Sequence, residues 1–400
     1  MKKHFAIWAL TFLTISAEAA TFRVANVGDS GGGSLRQAIL DLNKQANNNT
    51  SHTIDLKGVS GTVTLKSPLP WIERSVSLTG PGTNALSVSG AKQFQVFFVK
   101  QGTVGFRNFK IKDGKSKGGS GEGGGGGAAG MGGAIFVNES AQVTTSGMAF
   151  TGNVAEGGLG GSLHTMGFGG SAFGSEPGRT GDVGSRGKNG GNGSGLSGRN
   201  GRNGGAGTSG NPGEDGSDGT LPGSGGGGGG NAGQAGSGGN GSKGGGGGGG
   251  GEAGKGGNGG NGGNGGAAKG PNKAGAKGSR GRGGNSPNGG RGGNGGYGGG
   301  AGAGGLGYRG GEGSNAGANG SIGEDGSPGT FGGVAGFGGG GAGAGLGGAI
   351  FVRQGGSLTA DNCTFEQNRA LGGGGGAQAG KGKGGAIFAM EGVTATLTGT

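Results

Sequence analysis

The chain has 400 residues, 130 of them glycine, and a formal net charge of +12 at pH 7. Because Cys363 is the single cysteine, the sequence excludes an internal disulfide framework and a cysteine-based metal site, and we expect this thiol to be buried as a small apolar group. The histidines His4, His52 and His164 lack metal-ligand spacing. Lysine and arginine are scattered singly through glycine, which predicts no dense basic run. The sequence therefore predicts neither a metal nor a cofactor.

Residues 1–19 have the pattern of an export signal. Lys2 and Lys3 precede the apolar run Phe5–Ile15, and Ala17-Glu18-Ala19 fits the small-x-small rule for signal peptidase. An N-terminal amphipathic or core helix is the alternative interpretation. No later run approaches about 18 consecutive apolar residues, so no transmembrane helix is predicted after the signal. We expect the mature chain to leave the cytoplasm.

Residues 20–50 predict a cap for the fold that follows. Thr21–Val27 is the first predicted strand. Ser34–Asn43 predicts an amphipathic helix with Ser34 as its N-cap. A helix at this place would cover the exposed first edge of a repeating β structure.

Residues 51–156 predict short strands separated by turn residues such as Gly80-Pro81-Gly82. The predicted upstream strands are Thr53–Leu56, Gly61–Leu65, Ser75–Leu78, Ala85–Val88, Phe94–Val99 and Thr103–Ile111.

A sequence repeat sets the expected architecture. Gly132–Ala155 and Gly347–Ala370 align without a gap, each opening with GGAIF and ending with F-x-x-N-x-A, and a third copy opens at Gly384. One copy cannot bury its own apolar face, so copies must stack on one another. The repeat predicts an all-β fold, a right-handed parallel β-helix. Its structural residues are Gly133, Ala134, Ile135, Phe150, Asn153, Gly348, Ala349, Ile350, Phe365, Asn368, Gly385, Ala386 and Ile387.

Stacking places equivalent residues on one another, so Ile135 should lie near Ile350 and Phe150 near Phe365. The alternation predicts that Ala134 points inward and Ile135 outward. The asparagine of F-x-x-N suits a tight corner, because it tolerates positive φ and can form a hydrogen-bonded ladder with its equivalents. With these structural roles, the repeat residues are poor candidates for catalysis.

Two motifs resemble known families. TFRVANVGDSGGGSLRQAILDLN resembles the N-terminal segment of bacterial secreted β-helix proteins written C-S-L-R-E-A-I, with Gly33 and Gln37 in place of the cysteine and the glutamate. The GGAI and F-x-x-N pair resembles the repeats of chlamydial polymorphic outer membrane proteins and related autotransporter passengers. The resemblance covers residues 21–155 and 347–400, and it implies a surface-exposed passenger or adhesin that binds an unidentified host or surface protein or glycan. No membrane β-barrel follows and the last repeat is cut mid-strand. We therefore expect a fragment or an early terminus, with any outer-membrane association made through sequence that is not present.

Residues 157–346 form a glycine-rich block between the two full repeats. Because a shorter glycine-rich loop occupies the same place after Ala370, the block is interpreted as an insertion at one corner, with repeats resuming over 347–400. Few apolar side chains offset the entropy of ordering glycine, which favours disorder. Glycine at every third residue instead fits packed polyproline II helices, while a collagen triple helix needs more proline.

Other motifs are weaker. Arg282, Arg291 and Arg309 each begin an RGG triplet, and Tyr297 and Tyr308 lie nearby, a pattern found in single-stranded nucleic-acid binding. Such triplets arise by chance in glycine-rich sequence, so no specific nucleic-acid partner is expected. A polysaccharide lyase or hydrolase needs clustered carboxylates. The candidates are dispersed: Asp55, Glu73, Asp113, Glu139, Asp361 and Glu366. We expect a secreted or cell-surface protein that is not an enzyme, with adhesion as its function. The alternatives are a polysaccharide-acting enzyme and a glycine-rich, polyanion-binding surface protein.

Overall fold

The computed structural model describes residues 18–46, 50–162, 167–171, 240, 291–304, 306, 321–336 and 339–400. Over these residues the fold is all-β, with one helix, α1 (Leu35–Asn43), and with every strand-to-strand ladder parallel. The strands are β1 (Thr21–Arg23), β2 (His52–Asp55), β3 (Gly61–Thr64), β4 (Val76–Thr79), β5 (Leu86–Ser89), β6 (Phe97–Arg107), β7 (Lys110–Lys112), β8 (Lys115–Lys117), β9 (Gly130–Met131), β10 (Ile135–Ser146), β11 (Ala149–Thr151), β12 (Val154–Glu156), β13 (Gly345–Leu346), β14 (Ile350–Val352), β15 (Ser357–Asp361), β16 (Thr364–Glu366), β17 (Arg369–Leu371), β18 (Gly382–Lys383), β19 (Ile387–Ala389) and β20 (Thr394–Thr398).

The strands form four parallel sheets, and the chain passes through them in turn, so that β10, β11, β12 and β13 belong to four different sheets. The largest sheet follows the order β1-β2-β4-β6-β10-β14-β19, with β15 paired to β10 and β20 paired to β15. The second has the order β16-β11-β7-β5-β3, the third β17-β12-β8 and the fourth β18-β13-β9. The two full repeats therefore lie beside each other in the first three sheets, and the strands that immediately precede them, β9 and β13, pair in the fourth.

The alignment of the repeats predicts the register that the strands adopt. Ile135 pairs with Ile350, which pairs in turn with Ile387. Phe150 pairs with Phe365, and their rings stack with centroids 4.8 Å apart and 8° between the ring planes. Rows of identical side chains thus run perpendicular to the strands.

Helix α1 begins where the sequence predicts. The Ser34 hydroxyl oxygen accepts a hydrogen bond from the backbone N–H of Gln37, 3.2 Å away, which satisfies one of the free donors of the first turn. Leu35, Ile39 and Leu42 are fully buried and join the main core. The helix contacts β1 and β2, so it packs at the first end of the largest sheet.

The main core contains one face of each long strand, and it corrects one expectation. Ala134 and Ile135 both belong to this core and are fully buried, so Ile135 does not point outward. Phe136 points to the other side of β10, where a second apolar cluster buries it. The alternation of inward and outward side chains along β10 therefore begins at Ile135, because the Gly133-Ala134 turn precedes the strand.

The corners between sheets use the left-handed region of φ at equivalent positions. Asp113, Gly152 and Gln367 have φ of 50°, 65° and 54°, and each follows a strand of the second sheet. The F-x-x-N asparagines come one residue later and do not have positive φ, so the expected use of asparagine for positive φ is wrong. Their role at the corner is hydrogen bonding.

The asparagine ladder links three layers of the fold. The backbone N–H of Gly114 donates to Oδ1 of Asn153 at 2.8 Å, and Nδ2 of Asn153 donates to Oδ1 of Asn368 at 2.9 Å. Asn153 is fully buried and also donates to the carbonyl oxygen of Ile111 at 3.2 Å. The ladder therefore satisfies buried polar groups that the turn would otherwise leave unpaired.

Element bounds differ from the prediction mainly at corners. The predicted strand Thr103–Ile111 is interrupted at Asn108, whose φ is 56°, so it divides between β6 and β7. The predicted runs Phe94–Val99 and Thr103–Ile111 contribute to one continuous strand, β6. The first strand ends at Arg23, four residues earlier than predicted. Cys363 is buried as expected, with Sγ 3.3 Å from Oγ1 of Thr145.

Candidate functional site

Two surfaces adjoin the third and fourth sheets, a packed glycine-rich bundle and a charged groove. The glycine-rich bundle consists of extended segments that bond to one another laterally. Residues 340–345 show the pattern best: their N–H groups donate in turn to residues 158–161, 298–301 and 378–381, and the cycle then repeats. The same neighbour therefore recurs every third residue, the period of a polyproline II helix.

The carbonyl groups of residues 340–344 complete the arrangement. They accept from residues 127–130 at two positions, from Gly333 at one, and from residues 373–377 at two. This segment thus has six neighbours, and none of residues 340–345 has a positive φ. Each main-chain group is satisfied between segments, which replaces the hydrogen bonding that a β ladder would supply.

The main chains in this bundle lie too close together for any residue other than glycine at several positions. A Cβ atom added to Gly341 would overlap the carbonyl oxygen of Gly333, and one added to Gly343 would overlap that of Ala128. Gly374 differs, because no atom lies within 4 Å of the place where its Cβ would be. Gly341 and Gly343 therefore let the main chains approach each other without a side chain between them.

The bundle draws on more of the chain than the glycine-rich block alone. Its described segments come from the loops after three successive strands, β8, β12 and β17, and it includes residues 118–129 and 372–381 as well as parts of 157–346. The described residues of the block share the three-residue hydrogen-bond period of a polyproline II helix. The boundaries at 156 and 347 therefore cut through one packed unit.

A second apolar cluster joins the bundle to the largest sheet. Trp71, Phe98, Phe136, Phe351 and Phe388 stack in a row, with successive ring centroids 4.6, 4.6, 5.2 and 5.8 Å apart. Side chains on the bundle side cover the middle of this row, among them Ala129, Met131, Ala344, Leu346 and Phe331. The glycine-rich segments therefore protect an outward aromatic face of the sheet from water.

Tyr297, considered above as a base-stacking residue, belongs to this interface. Its ring meets Phe331 edge-on with centroids 6.4 Å apart. Burial, and to a smaller extent the charge of Glu391, raises the pKa of the Tyr297 hydroxyl. Arg291 lies 3.7 Å from a carboxylate oxygen of Glu324, and Arg282, Arg309 and Tyr308 lie outside the described residues. The described part of the RGG motif therefore has local partners.

The charged groove lies on the outer face of the third sheet. It encloses about 660 Å³ and is lined by Lys92, Asp113, Gly114, Lys115, Gly152, Val154, Glu156, Gln367, Arg369 and Leu371. In β8, β12 and β17 the central residues face inward, so the flanking residues face the groove. Lys115, Val154 and Arg369 form one row across the three strands.

Glu156 occupies the middle of the groove and pairs with two lysines. Its carboxylate oxygens lie 2.7 Å from Nζ of Lys115 and 3.0 Å from Nζ of Lys117. The hydrogen bond from Lys115 is the largest influence and lowers the pKa of Glu156, while partial burial opposes this and Lys117 adds to the lowering. Glu156 is therefore ionised at neutral pH.

Further cations surround this ion-paired centre. Lys92, Lys110, Lys112 and Arg369 form no ion pair or hydrogen bond through their side chains within the described part of the chain. Lys110 and Lys112 alternate with the buried Ile111 in β7, just before the corner that leads to β8. The groove and its rim therefore carry more positive than negative charge.

A smaller cavity of about 200 Å³ adjoins the groove at Lys115. It is lined by Pro68, Leu69, Trp71, Gln93, Phe94, Gln95, Val96, Phe98, Lys115, Ser116 and Lys117. Trp71 is 43% exposed, and Nζ of Lys100 lies 5.5 Å from its ring centroid. Trp71, Lys115 and Lys117 therefore line one cavity, and Lys115 also lines the neighbouring groove.

The basic rim corrects the expectation that no dense basic run exists. Residues 110–117 read KIKDGKSK, with lysine at every second position on each side of an Asp-Gly turn. Period-two alternation places all four lysines outside, since Ile111 and Ser116 are buried. The lysine spacing in residues 110–117 could have indicated this rim from the sequence. Many lysines and arginines of the chain are instead scattered through the glycine-rich block, which made the charge look evenly spread.

The structural repeat residues line the interior and the corners. Ala134, Ile135, Ala349, Ile350 and Phe150 belong to the main core. Phe365 and Ile387 pack against it and are partly buried. Gly133 and Gly348 stand at the turn into the largest sheet, and Gly385 and Ala386 hold the equivalent place in the third copy.

The dispersed carboxylates stay apart. Glu73 pairs with Lys100 at 3.0 Å, and Glu139 pairs with Arg353 at 2.9 Å. Oδ1 of Asp361 accepts from the Thr398 hydroxyl at 2.8 Å. Asp113 alone among the six named carboxylates lines the groove.

No family model matches the chain, and no curated protein and no solved structure matches it. In the described ranges, no helix is long and apolar enough to cross a membrane. The same ranges contain no group of three or more His, Cys, Asp or Glu side chains arranged to hold a metal ion.

Proposed function

We propose that this chain is an exported, non-enzymatic surface protein that acts in adhesion, with a right-handed parallel β-helix as its scaffold. The observation that carries the proposal is the glycine-rich corner, which is packed against the scaffold through hydrogen bonds and an aromatic row. A rigid corner of this kind is suited to presenting a binding surface at a fixed distance from the scaffold. The resemblance to bacterial β-helix passengers agrees with this function.

The parallel ladders support the β-helix. Each full repeat supplies strands to the largest, second and third sheets in the same order, the strand just before each repeat belongs to the fourth sheet, and the repeats pair in register. Parallel pairing of consecutive repeats is the geometry of a solenoid, in which each unit contacts its neighbours alone. Right-handed connections are the rule for parallel strands.

The first strand supports export with cleavage after Ala19. The carbonyl oxygen of Ala20 accepts from the backbone N–H of Thr53 at 2.9 Å, and the N–H of Ala20 donates to Nδ1 of the buried His52 at 3.1 Å. A chain that begins at Ala20 keeps both of these contacts and all of β1. Removal of residues 1–19 is therefore compatible with the fold.

Localisation tests the proposal directly. Producing cells are treated with a protease that cannot enter them, and the released and retained protein is identified by mass spectrometry. We expect a mature N-terminus at Ala20 and fragments released from intact cells. An uncleaved chain confined to the cytoplasm would overturn the proposal.

Adhesion is tested by comparing cells that export the full chain with cells that export a shortened one. Excising residues 157–346 would strip the cover from Phe136 and Phe351, so a smaller replacement is preferable. Residues 172–290 are replaced by a flexible Gly-Ser linker of about 20 residues. Attachment that survives assigns adhesion to the scaffold and the packed corner. Attachment that is lost while the fold is kept assigns it to the replaced segment.

A further inference from the structure

We infer that the groove on the third sheet binds an acidic polysaccharide, with the cations holding its carboxylate or sulfate groups and Trp71 packing against a sugar ring. The inference rests on the proposed surface location, and it deepens that function by assigning a ligand class to one site. It locates the binding surface on β7, β8, β12 and β17 together with the corner at Lys92.

The spacing of the cations suits a repeating anionic polymer. Lys115 and Arg369 belong to one row across three parallel strands, so their backbones lie about 10 Å apart. This distance is comparable to the length of a disaccharide unit. Lys110 and Lys112 are about 7 Å apart along β7 and extend the positive rim around the corner. A polymer with one negative charge per sugar could contact several of these side chains together.

The groove already contains a competing anion, which limits its affinity for small ions. Glu156 neutralises much of the charge of Lys115 and Lys117. Lys92, Lys112 and Arg369 form no side-chain ion pair with any residue that the structure describes, and they lie on different elements. Affinity must therefore come from several weak contacts to one chain, since each exposed ion pair contributes little.

Trp71 offers an aromatic surface for a sugar ring, a contact that a polyanion without sugars cannot make. Its ring is 43% exposed, is held by stacking on Phe98 at 4.6 Å, and borders the cavity shared with Lys115 and Lys117. An immobilised aromatic face loses little conformational entropy on binding. The apolar C–H face of a pyranose ring matches such a surface, and a sugar that stacks on the ring face opposite Phe98 would displace Nζ of Lys100, which lies 5.5 Å from the ring centroid.

Binding of polygalacturonate to the purified mature chain tests the inference, with dextran as a neutral glycan and long-chain polyphosphate as an anion without sugar rings. We expect polygalacturonate to bind, to bind more weakly as salt is added, and to bind more tightly than either of the other polymers. A triple variant, Lys92→Gln/Lys112→Gln/Arg369→Gln, should bind polygalacturonate about tenfold more weakly than the unchanged chain.

The matched control removes the same charge elsewhere. Arg23, Lys57 and Lys66 are exposed and lie outside the groove, so the variant Arg23→Gln/Lys57→Gln/Lys66→Gln should bind within about twofold of the unchanged chain. Thermal unfolding of both variants shows that each is folded. Equal weakening of the two variants would overturn the groove as the binding site.

Tryptophan fluorescence provides a readout that needs no variant. The sequence contains two tryptophans, and Trp8 lies within residues 1–19, so Trp71 is the single tryptophan of residues 20–400. Polygalacturonate should shift the emission of Trp71, while polyphosphate should leave it unchanged. Polyphosphate binding as tight as polygalacturonate binding, with no change in emission for either polymer, would overturn recognition of a sugar.

The outcomes also separate the inference from the proposed function. Groove-dependent polygalacturonate binding by a chain that remains uncleaved in the cytoplasm would overturn surface function and keep the ligand assignment. Surface exposure of a chain that does not bind polygalacturonate would overturn the ligand assignment alone.

Discussion

The main core and the glycine-rich bundle are both stacks of repeated segments, but different forces hold them together. In the main core, rows of Ile, Val, Leu and Phe pack on one another, and the main chains pair in parallel ladders. In the bundle, the segments touch through their main chains, and an apolar side chain at Gly341 or Gly343 would overlap a carbonyl oxygen. Stability in the first region comes from buried apolar surface, and in the second from satisfied main-chain groups at close approach.

This difference explains why one molecule can contain both compositions. The entropy of ordering glycine is too large for a bundle without an apolar core to offset it alone. The aromatic row of Phe98, Phe136 and Phe351 supplies apolar contact on the bundle side of the sheet. The described glycine-rich segments are therefore ordered by a template, the scaffold face on which they pack.

Truncating an aromatic side chain in the main core should have the largest effect. Phe150 is fully buried and stacks on Phe365, so Phe150→Ala should lower the free energy of unfolding by about 3–5 kcal/mol. Chemical denaturation followed by circular dichroism measures the change. Leu40→Ala, at a residue that is 41% exposed on α1, is the control and should cost less than about 1 kcal/mol. Similar losses in both variants would contradict the assigned core.

Adding one methyl group to the bundle should have the next largest effect. Gly343→Ala should lower the free energy of unfolding by at least about 2 kcal/mol, because its Cβ would overlap the carbonyl oxygen of Ala128. Gly374→Ala, at a bundle glycine with open space around the added Cβ, should change the free energy of unfolding by no more than about 0.5 kcal/mol. Amide hydrogen exchange of the bundle segments locates the loss. If both variants are tolerated, close main-chain packing is not what holds the bundle.

Removing the asparagine ladder should lower the free energy of unfolding by less than the bundle substitution does. Asn153→Ala leaves the buried N–H of Gly114 without its acceptor, and we expect a loss of about 1–3 kcal/mol. The double variant Asn153→Ala/Asn368→Ala should lose less than the sum of the two single changes, because the two side chains are hydrogen bonded to each other. Thermal and chemical denaturation of the four proteins measure this coupling, and strict additivity would show that the ladder contributes no pairwise energy.

The smallest stability effect is expected in the groove. Glu156→Gln should lower the free energy of unfolding at neutral pH by less than about 1 kcal/mol. Because the folded pKa of Glu156 lies below its usual 4.5, its contribution is present above that value and is lost as pH falls through the folded pKa. The difference between the two proteins should therefore disappear in acid.

The same substitution sharpens the ligand assignment. Glu156→Gln releases Lys115 and Lys117 from their ion pairs, so polygalacturonate should bind more tightly at neutral pH. Weaker binding by this variant would mean that Glu156 itself contacts the ligand.

The sequence allowed much of the scaffold to be predicted because repeats pair with their equivalents. The gapless alignment predicts the pairing of Ile135 with Ile350, and the N-cap at Ser34 follows from local chemistry. The outward direction assigned to Ile135 was wrong, since the strand period begins after the Gly133-Ala134 turn. The groove was missed for a related reason: the lysines of KIKDGKSK become one rim when a corner turns β7 into β8.

By itself, the sequence determined the register of the repeats, the place of the glycine-rich corner and the helix at the first edge of the sheet. These features depend on spacing along the chain, which the order of residues records directly. Tertiary structure alone decided that three separate loops form one bundle, that this bundle covers the aromatic row, and that Lys115 and Arg369 share a groove. Each of these features depends on lateral contact between segments that are distant in sequence. Because glycine has no side chain, a glycine-rich sequence does not indicate which segment packs against which.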